Sequence, residues 1–232
     1  RLLVQLVKQH LHRVAVARDP PFAARAGTRR QQGVYPAIAR STVFWILLSA
    51  VLLCNLYHSV TTSQLGVVLG DSAQAGDRIA VLISTFAVAV IAGRFVCGVA
   101  LDRLPAHLVA AGALALPGVG CLLLASGWDS FAVLAVAVCC LGAAWGAEGD
   151  VIAYLVARRF SLSIYSTVLS LLSAAIGVSS AVGAVILSRS LHRSDSFTGF
   201  LVFAGAAALL GGTSLLLLGR RRRESEEVPV LG

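Results

Sequence analysis

Three ionisable residues stand inside long apolar runs of this sequence, and the chemistry open to them is the handling of small anions and protons. Arg94 lies within AVAVIAGRFVCGVALDR at 87–103, and Glu148 and Asp150 lie within GAEGD at 146–150. A charge inside an apolar helix is costly, so it marks either a transport path or a buried pair. A guanidinium grips a carboxylate through two parallel N–H donors, and a carboxylate nearby can load and release a proton. Arg94 therefore reads in one of two ways. It takes an anionic substrate from an aqueous cavity, or it pairs with Glu148 or Asp150 and holds two helices together. Glu148 and Asp150 are two residues apart, so on a helix they point to nearly opposite sides, one toward a cavity and the other toward a neighbouring helix. Both are candidate proton carriers. Tyr154, one turn beyond Asp150, is placed to hydrogen-bond it.

Two further polar sets accompany them. Asn55, Tyr57 and His58 precede Thr61, Thr62, Ser63 and Gln64. Histidine is the side chain that changes charge near neutral pH. Asn55 and His58 read either as substrate-binding residues of an outer vestibule or as interfacial hydrogen-bonders. Gly98, Asp102 and Arg103, followed by Leu104-Pro105, have the spacing of a tight polar turn between two helices on one membrane face. No G-x-S-x-G elbow, phosphate-binding glycine loop or H-E-x-x-H pair is present, so the sequence points away from an enzyme.

The elements that must position these residues are membrane helices. Of 232 residues, 57% are hydrophobic and only 13% charged, about half the charge of a soluble domain. Six apolar runs reach the roughly 20 residues that a bilayer span requires. They cover 42–60, 79–101, 107–126, 131–157, 165–188 and 198–218. Their continuity excludes an outer-membrane barrel, whose strands alternate. The expected fold is an all-α bundle of six transmembrane helices, with a basic lead-in at 1–41 and a basic-acidic tail at 219–232. Within the lead-in, Leu2, Leu3, Leu6, Val7, Leu11 and Val14 recur at helical spacing. They read as an amphipathic helix on an anionic membrane surface or as a solvated linker helix.

With both termini cytosolic, 16 of the 19 Lys and Arg fall on the inner side, as the positive-inside rule requires. That placement accounts for the net charge of +8 without nucleic-acid binding. By helical rise, Arg94 and Glu148 each lie roughly 6 Å inward of the middle of their spans, and Asp150 roughly 3 Å deeper. The five cysteines all fall in apolar runs, with no zinc-ligand spacing, so neither a disulfide nor a metal site is expected. The chain has no methionine, so it reads as a piece of something longer.

On these residues the chain resembles the C-terminal half of a major facilitator superfamily transporter. Gly98-x-x-x-Asp102-Arg103 is similar to the superfamily's loop signature, although Leu104-Pro105-Ala106-His107 stands where a glycine and basic residues usually follow. Gly93-Arg94-x-x-x-Gly98 resembles the arginine-bearing eighth helix of monocarboxylate and oxalate/formate-type carriers. Gly146-Ala-Glu148-Gly149 and Ala157-Arg158-Arg159-Phe160 are similar to their tenth helix, and Phe44-Trp45 to the start of their seventh. The resemblance implies two inverted three-helix repeats and a missing N-terminal six-helix half. It also implies alternating-access transport of small organic anions, monocarboxylates by type, without a cofactor. Arg94 would bind the carboxylate, and Asp102 with Arg103 would latch the cytosolic gate. Two positions depart from the pattern. Val90 stands where monocarboxylate carriers have an aspartate, and the fifth span lacks the lysine of the oxalate/formate carriers. Glu148 then takes the proton role. The rival expectations are a non-transporting scaffold or sensor of the same architecture and an inactive truncated product.

Overall fold

The computed structural model describes residues 38–71, 78–128 and 130–216. The chain divides into two units, Arg1–Arg40 and Ser41–Gly232. The amphipathic helix and most of the linker expected in the first, and the tail at 219–232, lie outside the described residues. In the second unit, all regular structure among the described residues is α-helical. The helices are α1 (Thr42–Cys54), α2 (His58–Ser63), α3 (Leu65–Gly70), α4 (Ile79–Arg103), α5 (Ala106–Ala125), α6 (Phe131–Arg159), α7 (Leu162–Ser194) and α8 (Thr198–Ser214).

Helices α4 to α7 are long and apolar enough to cross a membrane, the mark of a membrane protein. By contrast, α1 and α8 are apolar but have only 13 and 17 residues, short of the roughly 20 that a span needs. The six expected runs thus become four long helices and two shorter ones. The run at 165–188 extends in both directions to the 33 residues of α7, which stops at Asp195 in the left-handed region with φ 49°.

The first expected span, 42–60, is a broken helix. Asn55 donates from Nδ2 to the Val51 carbonyl at 2.8 Å, the same acceptor its own backbone N–H uses. Hydroxyl residues then dominate, and they compete for backbone carbonyls. Ser59 Oγ donates to Leu56, Thr62 Oγ1 to His58 and Ser63 Oγ to Ser59. Residues 55–57 leave the helix, α2 restarts at His58, and the helical stretch runs on through α3 to Gly70. Interrupted backbone is tolerable at membrane depth only where protein covers it. Here α7 covers it. Ser179 Oγ donates to the Leu52 carbonyl at 2.5 Å, and Gly183 faces the Leu56 carbonyl so closely that a Cβ would overlap it.

Helix α6 is the axis of the bundle, packed between α4 and α5, while α8 joins α5 to α1 and α7 lies against α1 and α2. Small residues set these approaches, as is usual between membrane helices. A Cβ at Gly146 would overlap the Val90 carbonyl oxygen, and one at Gly142 would lie 2.5 Å from that of Phe86. Two clusters of the core, among the described residues, bear on the site. One surrounds the break, with Leu56, Tyr57, Val60, Leu141, Phe200 and Leu201. The other joins α3 to the first turns of α4 and α6 through Leu65, Leu69, Leu82, Leu134 and Val138.

Candidate functional site

Four ionisable residues of the bundle form two separate pairs on the two faces of α6. On the buried face, Glu148 Oε2 lies 3.0 Å from His58 Nε2, with side chains 6% and 11% exposed. His58 is the first residue of α2, so the break itself aims the imidazole at α6. Its ring stacks on Trp145, centroids 4.3 Å apart and planes within 4°. The ring of Tyr57 meets it edge-on at 4.8 Å. Trp145 precedes Glu148 by three residues, which puts both on one helix face. Two acceptors remain without a hydrogen-bond partner among the described residues: Glu148 Oε1 and Asn55 Oδ1, both buried. Buried polar atoms are rarely left in that state.

On the other face, Arg94 of α4 and Asp150 of α6 meet with Nε and Oδ2 3.5 Å apart, and their side chains are 64% and 46% exposed. Arg94 Nε also donates to the Gly146 carbonyl at 3.4 Å, an approach that the absence of a side chain at Gly146 permits. Both contacts are long. The two terminal guanidinium nitrogens make no hydrogen bond among the described residues, so the planar fork that binds a carboxylate bidentately is open. The surrounding surface is apolar, with Ile91, Phe95 and Val96 all strongly exposed.

These placements choose between the two carboxylates open to Arg94 as partners and change the sequence reading at two points. Arg94 is paired with Asp150 and not with Glu148, because the two carboxylates do face opposite sides of α6. His58 is not near the outer end of a span ending at 60. The helical stretch continues to Gly70, and His58 lies near its middle, level with Glu148. Tyr154 does not bond Asp150; its ring instead lies 5.1 Å from the Arg158 guanidinium.

Asp102 and Arg103 are the last two residues of α4 and not part of the turn that follows it; both are exposed, and neither makes an ion pair among the described residues. Gly98 has open space where a Cβ would stand. A groove of about 920 Å³ runs between α4 and α5 over α6, lined by residues such as Val88, Val96, Leu108 and Leu116. The hydroxyls of Ser84 and Thr85 on its wall are bonded to their own helix. The groove is therefore apolar, and neither Arg94 nor Glu148 lines it.

No family model matches the chain, and no curated protein matches it. The site accordingly rests on its own geometry.

Two contributors were not singled out in the sequence. Trp145 had a signal available, its i, i+3 spacing from Glu148. Ser179 had none, since its acceptor, the Leu52 carbonyl, is 127 residues away in sequence and is free only because the helix breaks.

Proposed function

We propose that this protein is a secondary active transporter of small organic anions, monocarboxylates by class, and that the bundle is one half of a major facilitator-type carrier. The observation that carries the reading is the open guanidinium fork of Arg94, 64% exposed amid exposed apolar side chains. A guanidinium charge amid apolar surface calls for a partner, and Asp150 reaches it only through one long contact. A substrate carboxylate takes the fork bidentately, and Asp150 holds Arg94 in place between substrates.

The distribution of exposed apolar surface supports a second half. Only 17% of the apolar stretch of α4 and 22% of that of α7 is buried within the bundle, against 50% for α6. In carriers built from repeats, the substrate lies between the halves. Arg94 on the outward face of α4 is where such a site would be completed. Glu148 with His58 carries the proton role, and Asp102 with Arg103 the gate.

The test is uptake of radiolabelled lactate, pyruvate and acetate into vesicles from cells expressing the full coding sequence. Arg94→Ala should abolish uptake in protein that still inserts and folds. Arg94→Lys should retain the charge but lose most of the rate, because the fork is gone. Uptake undiminished in Arg94→Ala would overturn the reading. One observation favours the alternative of a non-transporting scaffold: Asp150 gives Arg94 a partner within the same bundle.

A further inference from the structure

We propose that His58 and Glu148 form a proton-binding site that loads and unloads without losing its hydrogen bond and is separate from the Arg94 fork. The inference deepens the transport reading by naming the group that carries the coupled proton. The binding step itself does not depend on an anion being carried.

The geometry fixes the two heavy atoms and leaves the proton count free. With the imidazole neutral, Nε2–H donates to the carboxylate across 3.0 Å and the pair carries a net charge of minus one. One proton taken from water, onto His58 Nδ1 or onto Glu148 Oε1, leaves the same atoms bonded and the pair neutral. The products are imidazolium with carboxylate or imidazole with carboxylic acid. Nothing else is consumed. A net charge enclosed by apolar side chains is the costlier state, so the loaded pair is the one that can be occluded from water.

Three features separate this site from a pair that merely ties α2 to α6. Glu148 Oε1 is buried and unpartnered, whereas a structural ion pair fills its acceptors. His58 is held between Trp145 and Tyr57, so its ring stays in place whichever form it takes. It also begins α2 directly after the break, the one place in the first span where backbone leaves the helix. The other titratable groups facing the pair are Cys54 and Tyr57 of the first span, with Cys121 of α5 beside Tyr57. Beside the break, α7 presents Ser179 and Gly183. Arg94 and Asp150 lie on the opposite face of α6 and do not face the pair.

Trp145 supplies the readout, because an imidazolium stacked on an indole quenches its fluorescence and a neutral imidazole does so far less. The chain has three tryptophans, so Trp45→Phe with Trp128→Phe leaves Trp145 alone. The protein would be titrated in nanodiscs without any organic anion. A reversible quench on acidification is expected. It should vanish in His58→Gln, and its midpoint should change in Glu148→Gln, which removes the charge facing the ring. A signal that ignores pH, or an unchanged titration in both variants, would overturn the proposal. If His58→Gln fails to fold, Glu148→Gln decides alone. An intact titration in protein that takes up no anion would refute the transport reading and leave the proton site standing. Uptake without a titration would do the reverse.

Discussion

The two faces of α6 hold the same chemical ingredients, one carboxylate and one cationic or protonatable partner, in opposite surroundings. Glu148 and His58 are enclosed, close and flanked by aromatic rings. Asp150 and Arg94 are open, distant and ringed by exposed apolar side chains. Enclosure makes the first pair costly to break and sensitive to its proton count, since a charge without its partner finds little else to solvate it. Exposure makes the second pair weak and exchangeable, so a passing anion can replace one member. Two residues of spacing along one helix separate these behaviours.

The comparison breaks most visibly at the enclosed pair. His58→Leu or Glu148→Leu strands the remaining polar partner and should cost about 3–5 kcal/mol. The double variant His58→Leu/Glu148→Leu should recover most of that loss. Thermal unfolding in detergent, followed by size exclusion, would measure it, and additive losses would mean that the pair is not coupled.

A slightly smaller effect should erase both faces together. Gly146→Val drives a side chain into the Val90 carbonyl and parts α4 from α6. Overpacking of about 3 kcal/mol corresponds to a Tm lower by about 10 °C in a chain of this size. Gly98→Ala, with open space around it, should leave Tm within about 2 °C.

Smaller again, Ser179→Ala removes the donor to the Leu52 carbonyl and should cost about 1 kcal/mol. Hydrogen exchange at residues 52–58 would rise while α5 and α8 stay protected. Smallest in stability is the open pair. Arg94→Ala or Asp150→Ala should change stability by less than about 1 kcal/mol. A loss as large as that at Glu148 would make Arg94 a structural residue and contradict its assignment.

Much of this arrangement was legible in the sequence. Hydropathy alone located the long helices, because continuous apolar runs have few other uses, and the spacing of Glu148 and Asp150 foretold their opposite directions. The break in the first span was not legible. Residues 42–60 remain apolar on average, and the helix ends where Asn55 and the following hydroxyls compete for nearby carbonyls, leaving the Leu52 carbonyl to Ser179 of α7. Without the break, the sequence places His58 near the end of its run, away from the level of Glu148, and names no partner for it. Arg94 presented the opposite difficulty. Its exposure depends on how closely Gly146 lets α4 approach α6, which is a property of packing and not of either run.

The most direct test of the two-face account is to measure, in vesicles and for the same variants, both anion exchange at equal pH and uptake driven by an inward proton gradient. The account predicts that Arg94→Ala loses both activities, while Glu148→Gln keeps exchange and loses the response to the gradient. Equal loss of both activities in both variants would mean that the pairs form one site, and the division between the faces of α6 would be wrong.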